Sequence, residues 1–144
     1  FKRKSIKYWV EKKNIIPLIV KILPHLPIYL WDEDINDHIY QNINSIYLDN
    51  NDLSIYTDRI NKEEGNKLIR LRWYDEEIDN VFVERKIHHE SWTNVDSCKE
   101  RFSIENEYIM PYLRGINKID GKLQNEIQSE ITDNTLEPIL CNSL

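Results

Sequence analysis

The sequence predicts an α+β domain built on antiparallel strands with flanking helices. Three observations carry this. Residues 68–86 (LIRLRWYDEEIDNVFVERK) read as two strands of period-two alternation joined by an acidic turn. Residues 5–10 (SIKYWV), 45–49 (SIYLD) and 97–104 (SCKERFSI) are further short runs with β-branched or aromatic residues. Around them, residues 15–23 and 121–132 place apolar side chains at helical spacing.

The elements follow in order. Residues 5–10 read as a strand, with Lys7 and Trp9 on one face and Tyr8 and Val10 on the other. Asn14 is an N-cap candidate for a helix bearing Ile15, Ile16, Leu18, Ile19, Ile22 and Leu23. Pro17 is tolerated in its first turn and Pro24 and Pro27 end it, and its apolar stripe reads as core packing. Residues 28–31 read as a short strand and 32–44 as a polar loop or helical turn. The strand 45–49 closes in the turn signal Asn50-Asn51-Asp52. Residues 53–60 read as extended or partly helical and lead through Arg59 to a turn at Gly65. The hairpin loop spans 75–80, too long for a two-residue turn. Residues 88–93 read as irregular, 108–113 as a helix stopped at Gly115, and 136–140 as the start of another extended segment.

A chain of 144 residues with 40% hydrophobic and 31% charged residues suits one folded domain. No apolar run reaches the ~18 residues that span a bilayer. The net charge of −6 argues against general nucleic-acid binding, so cation clusters here mark local anion sites. Cys98 and Cys141 have no metal spacing and no disulfide framework, which fits a reducing compartment. With three glycines the chain has no Walker or dinucleotide loop. His88-His89-Glu90 lacks the four-residue step of a helical zinc site and reads as a solvated turn.

The strongest constellation is the recurrence of cations on strand faces. Arg70 and Arg72 share one face of the first hairpin strand, and Glu84 and Lys86 one face of the second. Lys7 adds a cation on an earlier strand, and Lys99 and Arg101 two on a later one. Two readings are open at this level. The cations face solvent while the apolar faces form the core, which is the commoner outcome. Alternatively they line a shared interior, where they repel one another unless an anion sits among them. A polyphosphate chain suits the second, because its row of oxygens matches Arg forks and Lys point charges. Glu84 reads as a salt-bridge partner for these cations rather than a metal ligand.

The blocks KYWV (7–10), SIYLDNNDLSIY (45–56), RINKEEG (59–65), IRLRWY (69–74), VFVERK (81–86) and SCKERF (97–102) together resemble the vacuolar transporter chaperone (VTC) central domain. That family belongs to the triphosphate tunnel metalloenzyme, or CYTH, superfamily. The match is collinear from about Lys7 to Phe102, and its IRLRWY, FVERK and HHE-WT blocks are the specific part. The resemblance implies the N-terminal half of an antiparallel β-barrel with flanking helices, residues 1–144 being the first portion of one tunnel domain, truncated before its second half. It implies an ATP-dependent polyphosphate polymerase, or a fragment of one, that transfers the terminal phosphoryl group of ATP to a growing polyphosphate chain. Arg70, Arg72 and Lys86 would be catalytic; Lys7, Lys99, Arg59 and Arg101 would bind substrate. Manganese is the implied cofactor, with its ligand outside this chain. The superfamily's first-strand glutamates are replaced here by Arg3 and Ser5, with Lys7 kept, so that strand should hold no metal. Implied partners are ATP, polyphosphate and other VTC subunits, with no nucleic acid. The implied location is the cytosolic face of a vacuole or acidocalcisome membrane, with membrane contact only through parts of the parent protein outside this chain. The alternative within the family is a non-catalytic accessory subunit that binds polyphosphate or partner subunits. A triphosphatase is disfavoured by the loss of the first-strand glutamates.

Overall fold

The computed structural model describes residues 6, 8–27 and 41–144. The chain divides into two compact units, Phe1–Tyr40 and Gln41–Leu144. Lys7 and the expected strand at 28–31 lie outside the described residues.

In the first unit, one turn of 3-10 helix at Lys12–Asn14 leads into α1, Ile15–Ile22. Pro17 is accommodated because N–H groups of a helix's first turn have no intrahelical acceptor. Two expectations fail here. Residues 6 and 8–10 form no strand, since no described strand pairs with them and an isolated extended segment has no ladder to hold it. The stripe on α1 is not core: none of its residues is buried, and Ile16 and Val20 are 65% and 61% exposed. Helical spacing reports which face is apolar, not whether anything covers it.

The second unit is one open antiparallel sheet of five strands with helices inserted between them. In chain order these are β1 (Ile43–Asp49), α2 (Ser54–Asn61), β2 (Lys67–Tyr74), β3 (Asn80–Ile87), β4 (Cys98–Glu105), α3 (Asn106–Leu113), α4 (Lys122–Asp133) and β5 (Glu137–Ser143). Their spatial order is β4-β3-β2-β1-β5, so β4 and β5 are the edges among the described residues. The ambiguous stretch after the first turn is therefore the helix α2, and β1 begins two residues earlier than the sequence suggested.

Alternation puts Leu48, Ile69, Leu71, Val81, Val83 and Ile104 on one face. They form a single core with Ile109, Tyr112 and Leu113 of α3, Ile127 and Ile131 of α4, and Leu136. Val83 and Ile127 are fully buried, each worth roughly 1.5–3 kcal/mol of transfer free energy. Tyr112 and Gln128 find partners for their polar groups inside this layer. Tyr112 donates its hydroxyl to the Gln124 carbonyl at 2.6 Å, and Gln128 Nε2 donates to the carbonyls of Tyr112 and Asn117 at 2.8 and 2.6 Å. α3 stops at Gly115, whose φ of +69° suits a residue without Cβ. The Gly115 N–H donates to the Tyr112 carbonyl and the Ile116 N–H to that of Pro111, a Schellman termination.

With α3 and α4 on the apolar face, the cation-bearing side chains occupy the other face of the same strands.

Candidate functional site

Register decides which side chains meet. Arg70 of β2 lies opposite Tyr47 of β1 and Glu84 of β3, and Glu84 in turn lies opposite Arg101 of β4. One step along, Arg72 lies opposite Ser45 and Phe82. On the other side, Lys86 lies opposite Leu68 and Lys99. Directly opposed residues share a face, so Arg70, Arg72, Lys86, Lys99 and Arg101 all converge as the alternation suggested.

Glu84 is the hub. It is 1% exposed, yet a carboxylate. Its Oε2 accepts from Arg70 Nε at 2.7 Å and meets Arg70 Nη2 at 2.6 Å, with Arg72 Nη1 at 3.8 Å. Its Oε1 faces Lys99 Nζ at 2.8 Å and Arg101 Nη1 at 4.0 Å. Burial alone would push the Glu84 carboxyl up, but hydrogen bonds from Lys99 and Arg70 outweigh burial and hold it below the ordinary carboxylate value. The guanidinium of Arg70 is shifted the opposite way: burial works against its charge, and Glu84 and Tyr47 more than restore it.

Neutral neighbours fix the forks. Arg70 Nη1 donates to the Tyr47 hydroxyl at 3.3 Å, and its Cζ lies 5.8 Å from the Tyr47 ring centre. Arg72 Nε donates to Ser45 Oγ at 3.2 Å. Arg101 stacks over Phe82 with Cζ 4.6 Å from the ring centre. Arg70 and Arg72 are under one-fifth exposed, whereas Arg101 is half exposed.

Arg59 joins from outside the sheet. Carried on α2, it lines a cavity of about 160 Å³ with Tyr47, Asn66, Leu68, Arg70, Lys86 and His88. Three of the cations singled out in the sequence thus border one small space. His88 was read only as part of a solvated turn, whereas it borders this cavity, and Tyr47 and Ser45 were not singled out. His88 stands two residues after Lys86, so strand parity was an available signal for it; Tyr47 and Ser45 offered none beyond sharing parity on β1. His88 Nε2 sits 3.1 Å from Glu90 Oε1, and His89 Nδ1 sits 2.5 Å from Glu64 Oε1. The Glu90 backbone N–H, and then His89, hold the Glu64 carboxyl below its ordinary value.

The donor set suits an anion. Among the described residues no three His, Cys, Asp or Glu side chains group as a metal site. Glu84, the carboxylate at the centre of the face, has both oxygens directed at Arg and Lys. A manganese ion placed there would compete with guanidinium and ammonium groups for the same oxygens, so these residues do not fit one.

A second charged cluster lies on the opposite, helix-facing side. Arg85 is 5% exposed and donates to Glu100 of β4 and to Glu126 and Glu130 of α4 at 2.7 to 3.0 Å. It ties α4 to the sheet and takes no part in the cation face.

A family model described as "VTC domain" matches residues 2–144. The chain is 42% identical over 118 residues, 80% of its length, to vacuolar transporter chaperone complex subunit 4 of Schizosaccharomyces pombe. It is 35% identical over 133 residues, again 80% of its length, to subunit 4 of Trypanosoma cruzi. Similarity to subunit 2 of S. pombe is 25% over 165 residues, 97% of the chain. These alignments span 16%, 17% and 22% of the respective relatives, so the chain corresponds to a minor part of each.

Proposed function

Because the chain belongs to the VTC domain family, we propose that it forms part of the phosphate-gripping wall of an ATP-dependent polyphosphate polymerase. One observation carries the reading: five cations from three adjacent strands share one face, and four of them, Arg70, Arg72, Lys99 and Arg101, crowd around the buried carboxylate of Glu84. Four positive charges set around one carboxylate leave a net positive field that attracts anions. A linear polyphosphate supplies acceptors at intervals, and rigid guanidinium forks pair with them in bidentate fashion.

The reaction is transfer of the terminal phosphoryl group of ATP. The bond from the γ-phosphorus to the β,γ-bridging oxygen breaks, a bond to a terminal oxygen of the polyphosphate chain forms, and ADP departs. Negative charge spreads over the transferring group, and the catalytic demand is positioning and charge stabilisation. Arg70 and Arg72 serve that demand because Glu84, Tyr47 and Ser45 already fix their planes. Lys86 and Arg59 grip phosphate in the adjoining cavity. Lys99 and Arg101, more exposed, guide the chain along the outer part of the face. Lys7 belongs to the proposed substrate-binding set by resemblance.

The alternative is an accessory subunit whose cation face binds polyphosphate or partner subunits without catalysis. The relatives' names place them in a multi-subunit complex and at a vacuole, and we extend both partners and vacuolar location to this protein. Among the described residues no helix is long and apolar enough to cross a membrane.

The test is Arg70→Ala and Lys86→Ala in the full-length protein, with ATP supplied and long-chain polyphosphate measured. Each should lower synthesis at least about tenfold, the scale of one lost charge-assisted contact. Unchanged synthesis would refute the assignment.

A further inference from the structure

Asp49 is the last residue of β1, and its carboxylate is buried at 5% exposure. Its hydrogen-bond partners among the described residues are backbone N–H groups. Its Oδ1 accepts from the backbone N–H of Asn50 at 2.8 Å and of Ile55 at 3.0 Å, and its Oδ2 from that of Tyr56 at 2.9 Å. Asn50 completes the arrangement: its Oδ1 accepts from the Ser54 N–H at 3.0 Å and its Nδ2 donates to Ser54 Oγ at 2.8 Å. The first three N–H groups of α2, which have no acceptor within the helix, are therefore all held from the end of β1. Leu53, in the N-cap position, has φ +53° and no side-chain oxygen to offer.

This matters because packing holds α2 only lightly, through Ile55, which is half-buried against the core. None of its residues is buried, and eight residues are too few for a helix to persist alone in water. Its ties among the described residues also include a 3.4 Å contact from Asn66 Nδ2 to the Ile55 carbonyl and a C-terminal bond from the Glu63 N–H to the Asp58 carbonyl at 2.9 Å. Arg59 stands one turn after Ile55, on the same face of the helix. The carboxylate that fixes the N–H of Ile55 thereby also fixes where the Arg59 side chain starts.

We propose that Asp49 is a positioning residue for anion binding: it docks α2 on the end of β1 so that Arg59 reaches the cavity it shares with Arg70, Lys86 and His88. The inference rests on the polyphosphate reading of that cavity. Asp49 touches no ligand itself and contributes only through Arg59.

The experiment is a double-mutant cycle in the full-length protein, read as equilibrium binding of inorganic tripolyphosphate at fixed salt. Arg59→Ala should weaken binding about tenfold. Asp49→Ala should weaken it several-fold in the native background and by less than about twofold once Arg59 is gone. Asp49→Asn, which keeps the shape and one acceptor, should give a smaller loss that also vanishes in the Arg59→Ala background, and it serves if the alanine variant does not fold. A purely structural role would lower affinity equally in both backgrounds; that result, or unchanged affinity in the Asp49 variants, overturns the proposal. Arg70→Ala separates the two levels. If it too binds tripolyphosphate like the native protein, the anion site itself is wrong; if it alone weakens binding, only the role of Asp49 is.

Discussion

Glu84 lies directly across the β2–β3 ladder from Arg70 and takes two of its nitrogens, at 2.7 Å from Nε and 2.6 Å from Nη2. The pair makes a cation-rich face foldable before any ligand arrives. A guanidinium with its plane already set loses less entropy when it meets phosphate.

Glu84→Gln should therefore destabilise the protein. It keeps the shape but removes the counter-charge from the well-shielded Arg70 and Arg72 and from the half-exposed Lys99. Loss of about 2–4 kcal/mol in urea unfolding is expected, on the scale of a broken buried pair.

Acid should act through the same carboxyl. Glu84 is held below its ordinary value of 4.5, so the unfolded chain takes up its proton first as pH falls. Stability from this group is complete above that value and drops as pH moves below about 4.5 toward the folded pKa. Glu64, held low by the Glu90 N–H and His89, adds to the same limb. Urea midpoints measured against pH should fall more gently below 4.5 in Glu84→Gln than in the native protein.

The period-two alternation of 68–86 made both faces of the hairpin legible, and the structure keeps them: apolar toward α3 and α4, cationic away. Alternation could not say whether the cations sit in water, because that depends on Glu84, Tyr47 and Ser45 meeting Arg70 and Arg72 across strands far apart in sequence. The role of Arg85 was missed for a related reason. It shares parity with Val81 and Val83, and its partners Glu126 and Glu130 lie some forty residues on, at i and i+4 of α4. A cation at an apolar-face position together with paired acids on an amphipathic helix was the available signal. The apolar residues of α1 misled because periodicity identifies a face without its cover.

Arg85→Ala should be costly for stability and neutral for ligand. It would leave Glu100, Glu126 and Glu130 without their shared cation, a loss of about 2–3 kcal/mol, less than for a fully buried pair because Glu100 and Glu126 are partly exposed and Lys67 still faces Glu130. Tripolyphosphate affinity of the folded fraction should stay within about twofold of native, since Arg85 lies on the other side of the sheet. A large loss of affinity at unchanged stability would contradict this separation.

Effects along the cation face should be graded. Arg70→Ala and Arg72→Ala remove well-shielded forks, whereas Arg101→Ala removes one that water and salt already screen. Tripolyphosphate titrations should show a several-fold greater loss for the first two, and raising the salt should narrow the gap between native protein and Arg101→Ala.

The central claim is that this face grips a polyphosphate chain during its synthesis. The direct test is to incubate the full-length protein with ATP and resolve long-chain polyphosphate from free phosphate, alongside Arg70→Ala. Long chains are expected from the native protein, with a loss of at least about tenfold in the variant. Free phosphate as the sole product, or equal chain synthesis by the variant, would contradict it.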